Sequence, residues 1–147
     1  MQRETEITAL TDVMAKFTSY IGKRLPNDVK DKLAELRTFE TNPLAKTIYM
    51  SMADNQEAAD KLDRPSCQDT GVIQYFIKAG ARFPLLGELE DILRNATLGA
   101  TEMGPLRHNA VETFDEKNTG TNTGSKIPWL DWEIVPDDDS ALIDVYM

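Results

Sequence analysis

Cysteine and histidine are the scarcest residues in this chain, with one of each among 147. A lone cysteine allows no internal disulfide, which fits a reducing compartment and gives the cytoplasm as the expected location. No apolar run approaches the roughly 20 residues needed to cross a bilayer. The opening stretch, Met1-Gln2-Arg3-Glu4-Thr5-Glu6, lacks the charged-then-apolar order of a signal peptide. Basic residues are also few: 16 Lys and Arg stand against 25 Asp and Glu, a net charge of −9. With no Lys/Arg cluster, the sequence argues against nucleic acid and against an anionic membrane as partners. It leaves room for a small dianionic substrate, because a site can be locally basic on an acidic protein.

The length is that of one ordinary domain. We read residues 1–147 as a single domain, helical over 1–63 and mixed over 64–147. Ile7, Leu10, Met14, Phe17 and Ile21, joined by Val13 and Tyr20, recur at spacings of three and four and predict an amphipathic helix over 4–24. Pro26 ends it. Asn27 is placed as the cap of a second short helix carrying Val29, Leu33 and Leu36. Thr41-Asn42-Pro43 gives the next start, a cap followed by proline at the first helical position. That third helix carries Leu44, Ile48, Tyr49 and Met52 and extends towards Leu62. Core packing or a partner interface explains these stripes better than a cofactor site does.

After Pro65 the pattern changes. Gly71-Val72-Ile73-Gln74-Tyr75-Phe76-Ile77-Lys78 is apolar almost throughout and reads as an inner strand. Leu86, Leu89, Ile92, Leu93 and Ala96 mark a fourth helix ending between Gly99 and Gly104. Pro105-Leu106-Arg107-His108-Asn109-Ala110-Val111 is a polar insert with apolar flanks, for which a helical turn is one option. Asn118-Thr119-Gly120-Thr121-Asn122-Thr123-Gly124-Ser125 repeats one tetrad; it can be a flexible connector or a loop offering N–H groups to an anion. Leu130-Asp131-Trp132-Glu133-Ile134 alternates as a half-buried strand. Pro136-Asp137-Asp138-Asp139-Ser140 is the turn into a last strand over 140–147, and its acidic triplet suits a solvated turn better than a cation site. The fold class expected is α+β: about four helices packed on a small mixed or antiparallel sheet. The final strand runs to the last residue, so the sheet is expected to be incomplete and the chain to be the N-terminal piece of a longer polypeptide. A two-stranded hairpin alone would be marginal in water.

The chemistry concentrates in Arg64-Pro65-Ser66-Cys67-Gln68-Asp69-Thr70-Gly71. A soft sulfur, an amide and a carboxylate follow one another between a proline and a glycine. Thiolate is the ligand that iron–sulfur clusters use, and a neighbouring carboxylate can move protons. On these residues alone, a buried inert cysteine at the end of a loop remains the alternative.

This stretch resembles the cysteine–glutamine–aspartate–threonine–glycine signature of the class I, iron–sulfur-dependent fumarases. The segment 105–111 and the Asn-Thr-Gly doublet are similar to later family segments, in the same order. Within the family, Gly80-Ala81-Arg82-Phe83-Pro84-Leu85-Leu86-Gly87-Glu88-Leu89 and Ile127-Pro128-Trp129 are most similar to the branch of L(+)-tartrate dehydratase α subunits. The likeness is strong from Pro65 to Met147 and weaker before it.

The resemblance implies a hydro-lyase built around a [4Fe–4S] cluster with one open iron, dehydrating L(+)-tartrate to oxaloacetate or, in a fumarase α subunit, interconverting fumarate and malate. It implies Cys67 as a cluster ligand, Gln68 as a substrate hydrogen-bonding residue and Asp69 as the proton-transfer residue. It implies Arg107 as the clamp on a substrate carboxylate, a task its bidentate fork suits. His108 carries no assigned role. The partners implied are a β subunit, the remainder of an α subunit and a small dicarboxylate. The family cluster takes three cysteines and this sequence offers one, so the chain alone is expected to be inactive. A helical assembly module without catalysis is the remaining expectation.

Overall fold

Tyr75, Ile77 and Ala79 turn to one side of a strand and are almost wholly buried, while Gln74, Phe76 and Lys78 turn to the other and are exposed. That alternation organises the computed structural model of the chain, which describes residues 1–66, 71–104 and 106–147. The order is α1 (Gln2–Lys23), α2 (Asn27–Phe39), α3 (Pro43–Leu62), β1 (Gln74–Gly80), a single 3₁₀ turn (Leu86–Glu88), α4 (Leu89–Met103), β2 (Trp129–Val135) and β3 (Ala141–Tyr146). The architecture is α+β, as the order of patterns predicts. The sheet is mixed, with order β2-β1-β3.

β1 pairs with β2 in parallel, Tyr75 opposite Leu130 and Ile77 opposite Trp132. A parallel pair needs a long crossover, and α4 supplies it. β1 pairs with β3 antiparallel, Ile77 opposite Ile143. The last two strands therefore flank β1 and form no hairpin with each other, contrary to the simplest reading of the turn between them. Segment 136–140 instead crosses the end of β1. Gly80 N donates to Ser140 O at 2.8 Å, Ala81 N to Val135 O at 2.9 Å and Arg82 N to Asp138 O at 2.9 Å. A Cβ at Gly80 would collide with the Asp138 backbone, which explains the glycine there. The ladder begins at Gln74, later than the apolar run suggests, and Gly71 ahead of it has a positive φ of 70°.

α1 and α4 cover one face of the sheet. The buried face of α4 is Leu89, Ile92, Leu93, Ala96, Thr97, Ala100 and Thr101, at the spacing of one helical stripe. The face α1 buries is Met14, Ala15, Thr18 and Ser19, with Leu10 packed against the core, so the apolar stripe read from sequence holds in part. Val13, Phe17 and Tyr20 lie exposed at 59%, 45% and 59%. The reason is close approach. A Cβ on Gly99 would lie 3.2 Å from Ala15 Cβ, one on Gly104 2.9 Å from Ser19 Oγ, and one on Gly22 2.7 Å from Leu106 Cδ2. Helices meeting through small side chains bury those and turn their bulky ones outwards.

Tyr75 ties the layers together. Its hydroxyl lies 3.0 Å from Thr18 Oγ1 on α1 and 3.0 Å from Thr97 Oγ1 on α4. Thr97 donates its own proton to Leu93 O at 2.9 Å. Tyr75 must therefore donate to Thr97 and accept from Thr18. Burial pushes the Tyr75 pKa above the ordinary phenol value, while the two hydroxyl contacts act against it.

α2 and α3 form an arm set off from this core. α2 buries no residue and α3 buries only Ala59. Asn42 caps α3 as expected, its side chain accepting from Leu44 N at 2.9 Å and Ala45 N at 3.3 Å, with Pro43 opening the helix. Asn27 does not cap α2: it is the first helical residue, Pro26 occupies the cap position, and no side chain bonds there. The root of the arm is held by charge. Lys23 meets Asp63 at 2.8 Å, and Arg24 meets Asp60 at 3.0 Å and Asp63 at 3.2 Å. No helix among the described residues is long and apolar enough to cross a membrane.

Candidate functional site

Three of the four expected site residues, Cys67, Gln68 and Asp69, lie outside the described residues. The residues on either side of them are described, and both are anchored. Ser66 O accepts from Asn55 Nδ2 on α3 at 2.6 Å. Gly71 O accepts from Asn109 Nδ2 at 2.7 Å. The second bond brings the Arg107–Ala110 segment to the residue that closes the signature, although nearly forty positions separate them in sequence.

Arg107 and His108 are exposed. Arg107 makes no ion pair or hydrogen bond among the described residues, so its guanidinium is available to an anion. His108 is held through its backbone, whose carbonyl accepts from Asn118 Nδ2 at 2.6 Å. The segment is not a helical turn. It runs irregularly from Leu106 to Ala110 and ends at Val111 in a bridge to Asn118. Leu106 and Ala110 are buried and pin its two ends.

The Asn-Thr-Gly doublet is neither a free connector nor an open ring of donors. Thr119 N donates to Ala110 O at 2.9 Å and Gly124 N to Ile127 O at 2.8 Å. Gly120 N bonds Asn118 Oδ1, Thr121 N bonds Thr119 Oγ1, and Thr123 N bonds Thr121 Oγ1. The threonine hydroxyls form a ladder, 3.1 Å from Thr119 to Thr121 and 3.0 Å from Thr121 to Thr123. Donors used this way are not offered to an anion, so the loop serves as a clamp on the Arg107 segment. Arg94 of α4 holds its far end through Gly124 O at 3.2 Å and Ile127 O at 3.1 Å.

Asn55, Arg94, Asn109 and Asn122 are the residues that sequence reasoning missed. Their signal was weak: single polar side chains among many. Only Asn109, two positions after Arg107, and Asn122, inside the repeated tetrad, sat within segments already singled out.

The acidic triplet is a solvated turn. Arg82 pairs with Asp137 at 3.0 Å and also bonds its carbonyl. Ser140 donates its N–H and hydroxyl to Asp138, and those bonds hold the Asp138 carboxyl below its ordinary value. Among the described residues, no group of three or more His, Cys, Asp or Glu side chains could hold a metal ion. A cubane cluster takes three or four thiolates. With one cysteine in the sequence, the residues of this chain by themselves do not fit a [4Fe–4S] cluster.

The family model for fumarate hydratase (fumerase) matches residues 11–147. The chain belongs to this family. Among its relatives, the L(+)-tartrate dehydratase subunit alpha of Escherichia coli (strain K12) is 54% identical over 145 residues, which is 99% of this chain and 48% of the relative. The subunit of the same name from Shigella sonnei (strain Ss046) gives the same figures, 54% identity with 99% and 48% covered. A putative L(+)-tartrate dehydratase subunit alpha from Methanocaldococcus jannaschii is 31% identical over 127 residues, 84% of this chain and 44% of the relative. The chain thus spans about half the length of the curated relatives it matches, at 48% and 44%. For a member of the fumerase family, the resemblance carried by the signature, the Arg107 segment and the doublet extends through the helices as well, since the match starts at residue 11.

Proposed function

We propose that this chain is part of a hydro-lyase that dehydrates L(+)-tartrate to oxaloacetate, working with a β subunit and with the half of an α subunit that its relatives carry beyond the matched region. The observation that carries this reading is the 54% identity across 99% of the chain to a tartrate dehydratase α subunit. The bond between Asn109 and Gly71 supports the site reading, because it joins the segment of the proposed clamp to the end of the signature.

In the reaction, tartrate loses a proton from a carbon next to one carboxylate and hydroxide from the adjoining carbon. The enol formed rearranges to oxaloacetate, and the balance is one water released. Arg107 binds a substrate carboxylate through its two parallel N–H groups. Asp69 moves a proton at the reacting carbons or at the departing hydroxyl. Gln68 hydrogen-bonds the substrate and fixes which hydroxyl departs. Cys67 is the one thiolate this chain offers to a cluster whose other ligands lie elsewhere. A reducing cytoplasm suits such a site.

The test is steady-state turnover of tartrate and of malate by the assembled enzyme, with Arg107→Ala beside wild type. We expect tartrate to be the better substrate. We expect Arg107→Ala to lower kcat/KM by about 10²-fold or more, the loss typical of a charged hydrogen-bonding partner, with unfolding unchanged. The family's description favours a second reading, a fumarate hydratase subunit. Malate turned over faster than tartrate would establish it. Anaerobic reconstitution of this chain alone should yield neither a stable cluster nor lyase activity. A full cluster complement with turnover would contradict the single-thiolate account.

A further inference from the structure

Asn122 is 4% exposed, and both ends of its amide are engaged. Its Oδ1 accepts the backbone N–H of Asn109 at 2.9 Å, and its Nδ2 donates to Thr101 Oγ1 on α4 at 3.1 Å. Thr101 gives its own proton to Thr97 O at 2.8 Å, so towards Asn122 it can only accept. That fixes which way the Asn122 amide points. Asn109 then passes the connection on, donating Nδ2 to Gly71 O at 2.7 Å. A continuous line of hydrogen bonds runs from the buried face of α4, through Asn122 and Asn109, to the last residue of the signature. Arg107 springs from the backbone two positions before Asn109. Its side chain is long, exposed and unpaired among the described residues. The place of its guanidinium therefore depends on how firmly that backbone is held.

We propose that Asn109 and Asn122 are positioning residues that set the Arg107 backbone against Gly71, so that the guanidinium meets a substrate carboxylate in register. Neither residue touches substrate. The inference rests on the hydro-lyase reading for its consequence in turnover, and on geometry alone for the coupling between the two segments.

Two measurements separate these. In the assembled enzyme, Asn109→Ala and Asn122→Ala should each raise KM for the dicarboxylate by about tenfold with kcat little changed, because a clamp that binds ground and transition states alike acts on KM. Leu89→Ala, a core variant at the opposite end of α4 from Thr101, should lower the unfolding temperature and leave KM within twofold. In an Arg107→Ala background the asparagine substitutions should add nothing further. KM within twofold of wild type for both asparagine variants would overturn the proposal. On this chain alone, Asn122→Ala should shift the amide resonances of both Gly71 and Arg107, while Leu89→Ala, at the far end of α4, should not. An unmoved Gly71 resonance would overturn the coupling. If the wild-type assembly turns over no hydroxy dicarboxylate, the hydro-lyase reading fails, and the amide resonances still decide whether the two segments are coupled.

Discussion

The core and the arm carry similar apolar side chains and treat them oppositely. In the core, Leu89, Ile92, Leu93 and Tyr75 are buried to 1% exposure or less. On the arm, Phe39 is 74% exposed, Leu44 71%, Ile48 54% and Met50 58%. Helical pattern alone did not decide the outcome. α4 has a sheet beneath it and α1 beside it, whereas α2 and α3 pack chiefly on each other. An amphipathic stripe states that a helix can be buried; a second layer has to be present before it is.

The contrast can be broken by substitution. Leu93→Ala empties a site with no exposure in the middle of the core and should cost about 2–5 kcal/mol, read by urea unfolding. Tyr75→Phe removes a hydroxyl shared by both covering helices and leaves Thr18 Oγ1 without that partner, so about 1–3 kcal/mol should be lost. Met50→Ala on the arm should change stability by no more than about 0.5 kcal/mol, since the residue is 58% exposed. A loss of 2 kcal/mol there would show that the arm is packed after all. Native-state hydrogen exchange sharpens the same comparison: amides of α2 and α3 should open at lower free energy than those of α4 and β1.

The smallest effect concerns the root of the arm. The hydrogen bond from Lys23, aided by the charges of Lys23 and Arg24, holds the Asp63 carboxyl below its ordinary value, while desolvation opposes them. A carboxyl depressed in the folded state adds stability that is present above the unfolded value, about 3.9, and is lost as pH falls through the lower folded value. Asp63→Asn should therefore lower the unfolding midpoint slightly near neutral pH. The gap to wild type should close as the pH drops below about 4. A gap that persists in acid would show that the effect is not one of charge.

The sequence displayed helices and strands well where one physical signal dominated. Asn42-Pro43 marked the start of α3, and α4 followed its apolar spacing into the Gly99–Gly104 stretch. α1 was legible as a helix but only partly in its facing: Leu10 and Met14 turn inwards as the stripe predicts, whereas Ala15, Ser19 and Gly22 pack by being small and a hydrophobic pattern gives small residues no weight. Strand pairing was not legible either. Pro136–Ser140 reads equally well as a hairpin turn and as a bridge across β1, and only the fit of Gly80 beneath Asp138 distinguishes them. At the site, Arg107 could be singled out through the family resemblance of its segment. Asn109 and Asn122 could not, because an asparagine inside a polar loop looks the same whether it is solvated or buried in a chain of bonds.

The sheet order also has a consequence for synthesis. β1 takes both neighbours from residues 129–146, so its two edges emerge long before anything can pair with them. α1 and α4 are the elements that close over its apolar side, and both are synthesised before β2 begins at Trp129. The helices would then present β1 as a waiting template, and the late strands would dock on either flank.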